Sequence, residues 1–192
     1  MPKSRFFRLI LITFIIAVTI SAAYSYEDGF GQAKKIESKY FTIYYAPQLD
    51  TFDLAQQLNV GAAERILAGR TARANSSRET ELTDMMDTLF LRAGEILDMN
   101  LFSYKGIIKI CRDKEHLNGI YRKIFNKDLR SPSLYIYTLN TIYICPEDFK
   151  IYILGHEIAH AIISNYFVVQ PPEKVAEILS GYVEYQLRKV AN

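Results

Sequence analysis

His156-Glu157-Ile158-Ala159-His160 sets two imidazoles four residues apart, with a carboxylate beside the first. On an α-helix, residues four apart lie one above the other on the same face, so His156 and His160 can grip one metal ion. Glu157 sits one step round from His156, beside the position that a metal-bound water would take. The chemistry of such a grouping is hydrolytic: the metal activates the water and the carboxylate handles its proton.

Two imidazoles rarely complete a zinc site. A catalytic zinc has three protein ligands and an open position. The final helical stretch offers the third, because Glu177, Gly181, Glu184 and Arg188 return to one side of it in steps of three and four. Glu177 follows His160 closely enough for one turn, a short loop and a turn back. Glu184 has an alternative role as the i,i+4 partner of Arg188, whereas Glu177 faces Gly181 at that spacing. Glu177 is therefore the preferred ligand and Glu184 the alternative. Ser180 and Gly181 are small enough to let this helix approach the histidine-bearing one.

The elements that position these residues follow from periodicity. Tyr40 to Tyr45 is aromatic and β-branched and reads as a strand closed by Pro47. Asp50 or Thr51 caps a helix carrying Leu54, Leu58, Ala62 and Ile66, with Gly69 as a stop. Ser76 and Glu79 have capping-box spacing before a stripe from Leu82 to Leu97, in which Met85 and Met86 read as core. Lys105 to Cys111 reads as a second strand, and Asp113 caps a helix with Leu117, Ile120, Tyr121, Ile124 and Phe125 inward. His116, in the first turn of that helix, reads as a surface residue.

Leu134–Tyr137 and Thr141–Ile144 read as a hairpin about Leu139-Asn140. Pro146-Glu147-Asp148 then reads as the start of the histidine-bearing helix, which runs to about Ser164 and is apolar on most of its surface. Such a helix belongs in the middle of a domain, where two histidines and a glutamate are costly to bury without partners. Pro171 opens the last helix. The fold class expected is α+β, with a small mixed sheet.

The first 23 residues differ in kind. Lys3, Arg5 and Arg8 precede an apolar run from Leu9 to Ile20, and Ser21-Ala22-Ala23 or Ala23-Tyr24-Ser25 supplies small residues for cleavage. That run is short for a membrane span, so residues 1–23 read as a secretory signal, 24–39 as a linker and 40–192 as one domain. The expected location is periplasmic or extracellular, with N-terminal membrane anchoring if the segment stays uncleaved. Removing it takes three of the 23 basic residues and none of the 21 acidic ones, leaving a near-neutral protein. Nucleic-acid and anionic-membrane binding therefore have no electrostatic support. Cys111 and Cys145 each end a strand, and a disulfide and two buried thiols are both open readings.

The run from Ser133-Leu134-Tyr135 through Asn140-Thr141-Ile142-Tyr143-Ile144 to Gly155-His156-Glu157-Ile158-Ala159-His160-Ala161 resembles the small gluzincin branch of zinc metallopeptidases. The resemblance covers residues 133 to 187 well and residues 40 to 130 only in the order of elements. It implies a minimal zincin-like domain with a central H-E-x-x-H helix and a C-terminal ligand-bearing helix. By position it implies zinc on His156, His160 and Glu177, Glu157 as general base, and a peptide or protein substrate extended along an edge strand, for which Leu134–Tyr137 is the candidate. An additional oxyanion donor would come from among Tyr166, Tyr182 and Tyr185. Many gluzincins carry the ligand in a Glu-Gly-x-x-Glu-Tyr-like segment, where this chain has Ser180-Gly181-Tyr182-Val183-Glu184-Tyr185. That departure keeps a second expectation open, a catalytically inactive binding module on the same fold. Glu177-Ile178-Leu179-Ser180-Gly181 matches the other common pattern, a glutamate followed by small residues.

Overall fold

A computed structural model describes residues 27–58 and 78–191. The signal segment, Ala62, Ile66, Gly69 and Ser76 lie outside the described residues. The five strands are β1 (Lys34–Glu37), β2 (Phe41–Tyr45), β3 (Gly106–Ile110), β4 (Ser133–Ile136) and β5 (Thr141–Ile144). They form one mixed sheet in the order β1-β2-β3-β5-β4. The central pairs β2–β3 and β3–β5 are parallel, and the outer strands β1 and β4 run antiparallel to their neighbours. The α-helices among the described residues are α1 (Thr51–Gln57), α2 (Arg78–Leu97), α3 (Lys114–Phe125), α4 (Ile151–Tyr166) and α5 (Glu173–Ala191).

Successive strand residues point to opposite faces, and the apolar residues sort accordingly. Ile43, Ile108, Ile110, Ile142 and Ile144 pack with Leu54 of α1, Leu82, Met86 and Leu89 of α2, Leu154 and Ile158 of α4 and Val183 and Leu187 of α5. Tyr143, Ile136, Cys111 and Cys145 face the other way, onto Leu117 and Ile120 of α3 and onto Phe30. β5 is buried on both faces at every position, as befits a strand lying between a helical layer and a second cover.

Two N-caps expected from sequence are present. Asp50 accepts from the Phe52 N–H, and Asp113 accepts from the His116 N–H. The hairpin is closed by a 3-10 turn over Tyr137–Leu139, with Asn140 in the left-handed region at φ 45°. Asn140 also ties the turn down, since its Oδ1 accepts from the Tyr104 and Tyr135 hydroxyls and its Nδ2 donates to the Lys105 carbonyl.

The structure corrects several boundaries. Lys34–Glu37, read as part of a linker, is the edge strand β1. Its pattern was hidden because only Ile36 is buried, while the charged residues around it stay in water, as edge strands require. Pro146–Asp148 is a separate 3-10 turn, and α4 begins at Ile151 after Lys150. Phe149 is fully buried between the two, so the chain turns there to seat that ring. The last helix begins at Glu173, two residues beyond Pro171.

Asp28, also assigned to the linker, is buried on the second face of the sheet. It pairs with Lys109 and accepts hydrogen bonds from the Tyr143 hydroxyl and the Phe30 N–H. Burial pushes its carboxyl up, but Lys109, Tyr143 and the Phe30 N–H together hold it below the ordinary aspartate value. Its contribution to stability is therefore complete above about pH 4 and is lost as pH falls through the lowered value. Asp28→Ala strands Lys109 in a mostly buried setting and should cost about 3 kcal/mol in urea unfolding at pH 7. The difference from wild type should shrink at pH 3.

Candidate metal centre

α4 and α5 build the site. α4 buries Leu154, Ile158, Ala161 and Ile162, and this holds His156 and His160 on the flank that meets α5. α5 buries Ser180, Val183 and Leu187 against α4, which brings Glu177 and Glu184 alongside that flank. Gly155 is what permits the close approach. A Cβ at this position would stand 2.1 Å from Cδ1 of Leu187, itself buried. Gly181, which the sequence suggested for this purpose, would place a Cβ in open space. Ser180 does sit in the interface, with no exposed surface. Gly155→Ala should overpack the helix pair and cost about 1–3 kcal/mol in chemical denaturation.

His156 Nε2 and His160 Nε2 are 3.1 Å apart. The Glu177 carboxylate reaches both, each through a different oxygen, with Oε2 3.6 Å from His156 Nε2 and Oε1 3.4 Å from His160 Nε2. Among the described residues this is the one group of three or more His, Cys, Asp or Glu side chains whose ligand atoms converge, all lying within 4.8 Å of one another. Glu184, the alternative third ligand, is placed elsewhere. Its Oε2 lies 3.2 Å from His156 Nδ1, on the far side of that ring, and its Oε1 is bonded by Arg188.

His160 is held neutral. Burial, reinforced by His156, pushes its pKa down to about 4, so one of its ring nitrogens keeps a free lone pair at neutral pH. Glu157 is 5% exposed, and its Oε1 accepts a 2.7 Å hydrogen bond from the Ser133 hydroxyl. Burial pushes the Glu157 carboxyl up to about 7. The negative charges of Glu177 and Glu184 add to the rise, and Ser133 and the Tyr135 N–H oppose it. A carboxyl balanced near neutrality can both take and return a proton there.

The other sequence candidates lie apart from this group. His116 Nδ1 accepts from the Arg112 N–H, and its ring packs on Phe30. Cys111 and Cys145 are buried, free thiols on the opposite face of the sheet. Tyr166, Tyr182 and Tyr185 are each about half exposed. Tyr166 rests on Phe167, and Tyr185 lies under the Lys189 ammonium. β4, the candidate substrate strand, is an edge of the sheet and lies against α4.

The chain matches no family model, no curated protein and no solved structure. Two contacts escaped the sequence reading. Ser133 is 24 residues from Glu157 and carries no local pattern that points to it. Glu184 against His156 could have been anticipated, since a ligating imidazole usually donates its second nitrogen to a carboxylate.

Proposed function

We propose that this chain is an exported zinc-dependent peptidase of the gluzincin type on a zincin-like fold, with His156, His160 and Glu177 as metal ligands and Glu157 as general base. The observation that carries the reading is the spacing of the donors. Ligand atoms about 2.1 Å from a tetrahedral metal stand about 3.4 Å from one another. Here the two imidazole nitrogens stand 3.1 Å apart, and the Glu177 carboxylate approaches them to 3.4 Å through Oε1 and to 3.6 Å through Oε2, so that one donor atom from each residue lies within 4.8 Å of the other two, somewhat wider than that spacing. Two imidazoles and one carboxylate form a donor set suited to zinc and leave a fourth position open.

When bound, zinc supplies Lewis acidity toward water and toward the carbonyl of a peptide bond. The protein's own groups do the rest. Glu157 takes the proton of the attacking water and hands it to the departing amine, a transfer suited to a carboxyl poised near 7. Ser133 keeps Oε1 of that carboxylate fixed on β4. The outer edge of β4, unpaired among the described residues, can receive an extended peptide substrate by strand addition, which would lay the scissile bond beside α4.

The test combines metal analysis with hydrolysis by the mature protein. About one zinc per chain with cleavage of casein or a peptide library supports the reading. One zinc with no cleavage of any substrate would turn it into a binding module, and no zinc at all would remove it.

A further inference from the structure

Resting on the zinc reading above, we propose that Arg188 and Tyr152 are positioning residues for the metal centre, acting through Glu184 on His156. His156 Nδ1 is a buried ring nitrogen with no hydrogen bond of good geometry, and Glu184 Oε2, at 3.2 Å, is the carboxylate in reach of it. In a ligating histidine the second nitrogen fixes the rotation of the ring, so whatever holds that carboxylate also holds the ligand. A glutamate on an open helix face swings freely unless something fixes it. Here the other carboxylate oxygen, Oε1, receives Arg188 Nη2 at 2.5 Å. The Arg188 guanidinium in turn lies over the Tyr152 ring, its Cζ 4.2 Å from the centroid.

Tyr152 stands on α4 four residues before His156, hence on the same face. The contacts therefore close a ring between the two helices, from Tyr152 to Arg188, Glu184 and back to His156. An exposed i,i+4 ion pair by itself contributes little. This one differs because its carboxylate uses one oxygen for Arg188 and the other for the metal ligand, while an aromatic ring from the ligand's own helix fixes the guanidinium. Arginine suits this position because its flat fork lies on the ring face while donating to the carboxylate from its edge, a geometry that a lysine ammonium does not reproduce.

Zinc affinity of the mature protein, measured by competition with a chromophoric chelator, tests the proposal without reference to activity. Losing an outer partner of a ligating histidine weakens metal binding by about 10- to 100-fold. Glu184→Gln should fall in that range and Arg188→Ala near its lower end. Tyr152→Leu should weaken binding in the same direction from the opposite helix, and Arg188→Lys should fail to restore wild-type affinity. Adding Arg188→Ala to Glu184→Gln should weaken binding no further, because Arg188 acts only through Glu184. Thermal unfolding of the metal-free variants separates these effects from loss of fold. If Arg188→Ala does not fold, Tyr152→Leu and Arg188→Lys carry the test.

Wild-type affinity in Arg188→Ala and Tyr152→Leu would overturn the proposal, and so would losses that add in the double variant, while the zinc reading would stand. A wild-type protein that binds no zinc overturns both.

Discussion

Glu157→Gln should abolish peptide hydrolysis while leaving zinc in place. The amide is nearly isosteric with the carboxylate and can still accept the Ser133 hydroxyl on its oxygen, so the packing around a side chain only 5% exposed is preserved. What it cannot do is accept a proton. Loss of a positioned general base costs about 10²- to 10⁴-fold in rate, and the loss should appear in kcat, with metal content unchanged. The variant should also be no less stable than wild type in the absence of zinc. Burial holds the Glu157 carboxyl near 7 in the folded chain, above its ordinary value, so ionising it at alkaline pH opposes folding, and the neutral amide escapes that opposition. Unchanged hydrolysis in Glu157→Gln would remove Glu157 from the mechanism.

His160→Ala has the largest expected effect on the metal itself. His160 supplies one corner of the donor triangle and touches both other corners, at 3.1 Å and 3.4 Å. Removing it leaves two donors, and no replacement imidazole stands near, since His116 lies on the other side of the sheet. The variant should bind no stoichiometric zinc even at excess. Thermal unfolding gives a second readout. Zinc at about 1,000 times its dissociation constant stabilises the wild type by about 4 kcal/mol, and that increment should vanish in His160→Ala. A zinc-dependent rise in Tm equal to that of wild type would mean that the metal binds elsewhere.

The histidine pair could be read from the sequence because α4 is so apolar that each of its polar groups needs a reason. Glu177 could be read because helical steps of three and four gather the acids of α5 on one side, and the burial of Ser180 between the helices explains why a serine at that position leaves the donor triangle complete. Three features could not be read: two depend on contacts between segments distant in the chain, and the third has no pattern of its own. Asp28 meets Lys109 and Tyr143 across 81 and 115 residues, and neither strand residue signals a buried acid in what reads as a linker. Ser133 reaches Glu157 from a neighbouring strand. β1 shows a single buried residue and has no alternation to detect. The delayed start of α4 is a local error of a different kind. Proline followed by two acids suits a 3-10 turn as well as an α-helix, and the burial of Phe149 decided between them.

The central claim is a three-ligand zinc site closed by Glu177, and metal stoichiometry in paired variants tests it most directly. Wild type should carry about one zinc per chain. Glu177→Ala should carry close to none, and Glu184→Ala should still fill at saturating zinc, with weaker affinity. A Glu177→Ala protein that keeps wild-type zinc while Glu184→Ala loses it would contradict the assignment of the third ligand, and a zinc-free wild type would contradict the account as a whole.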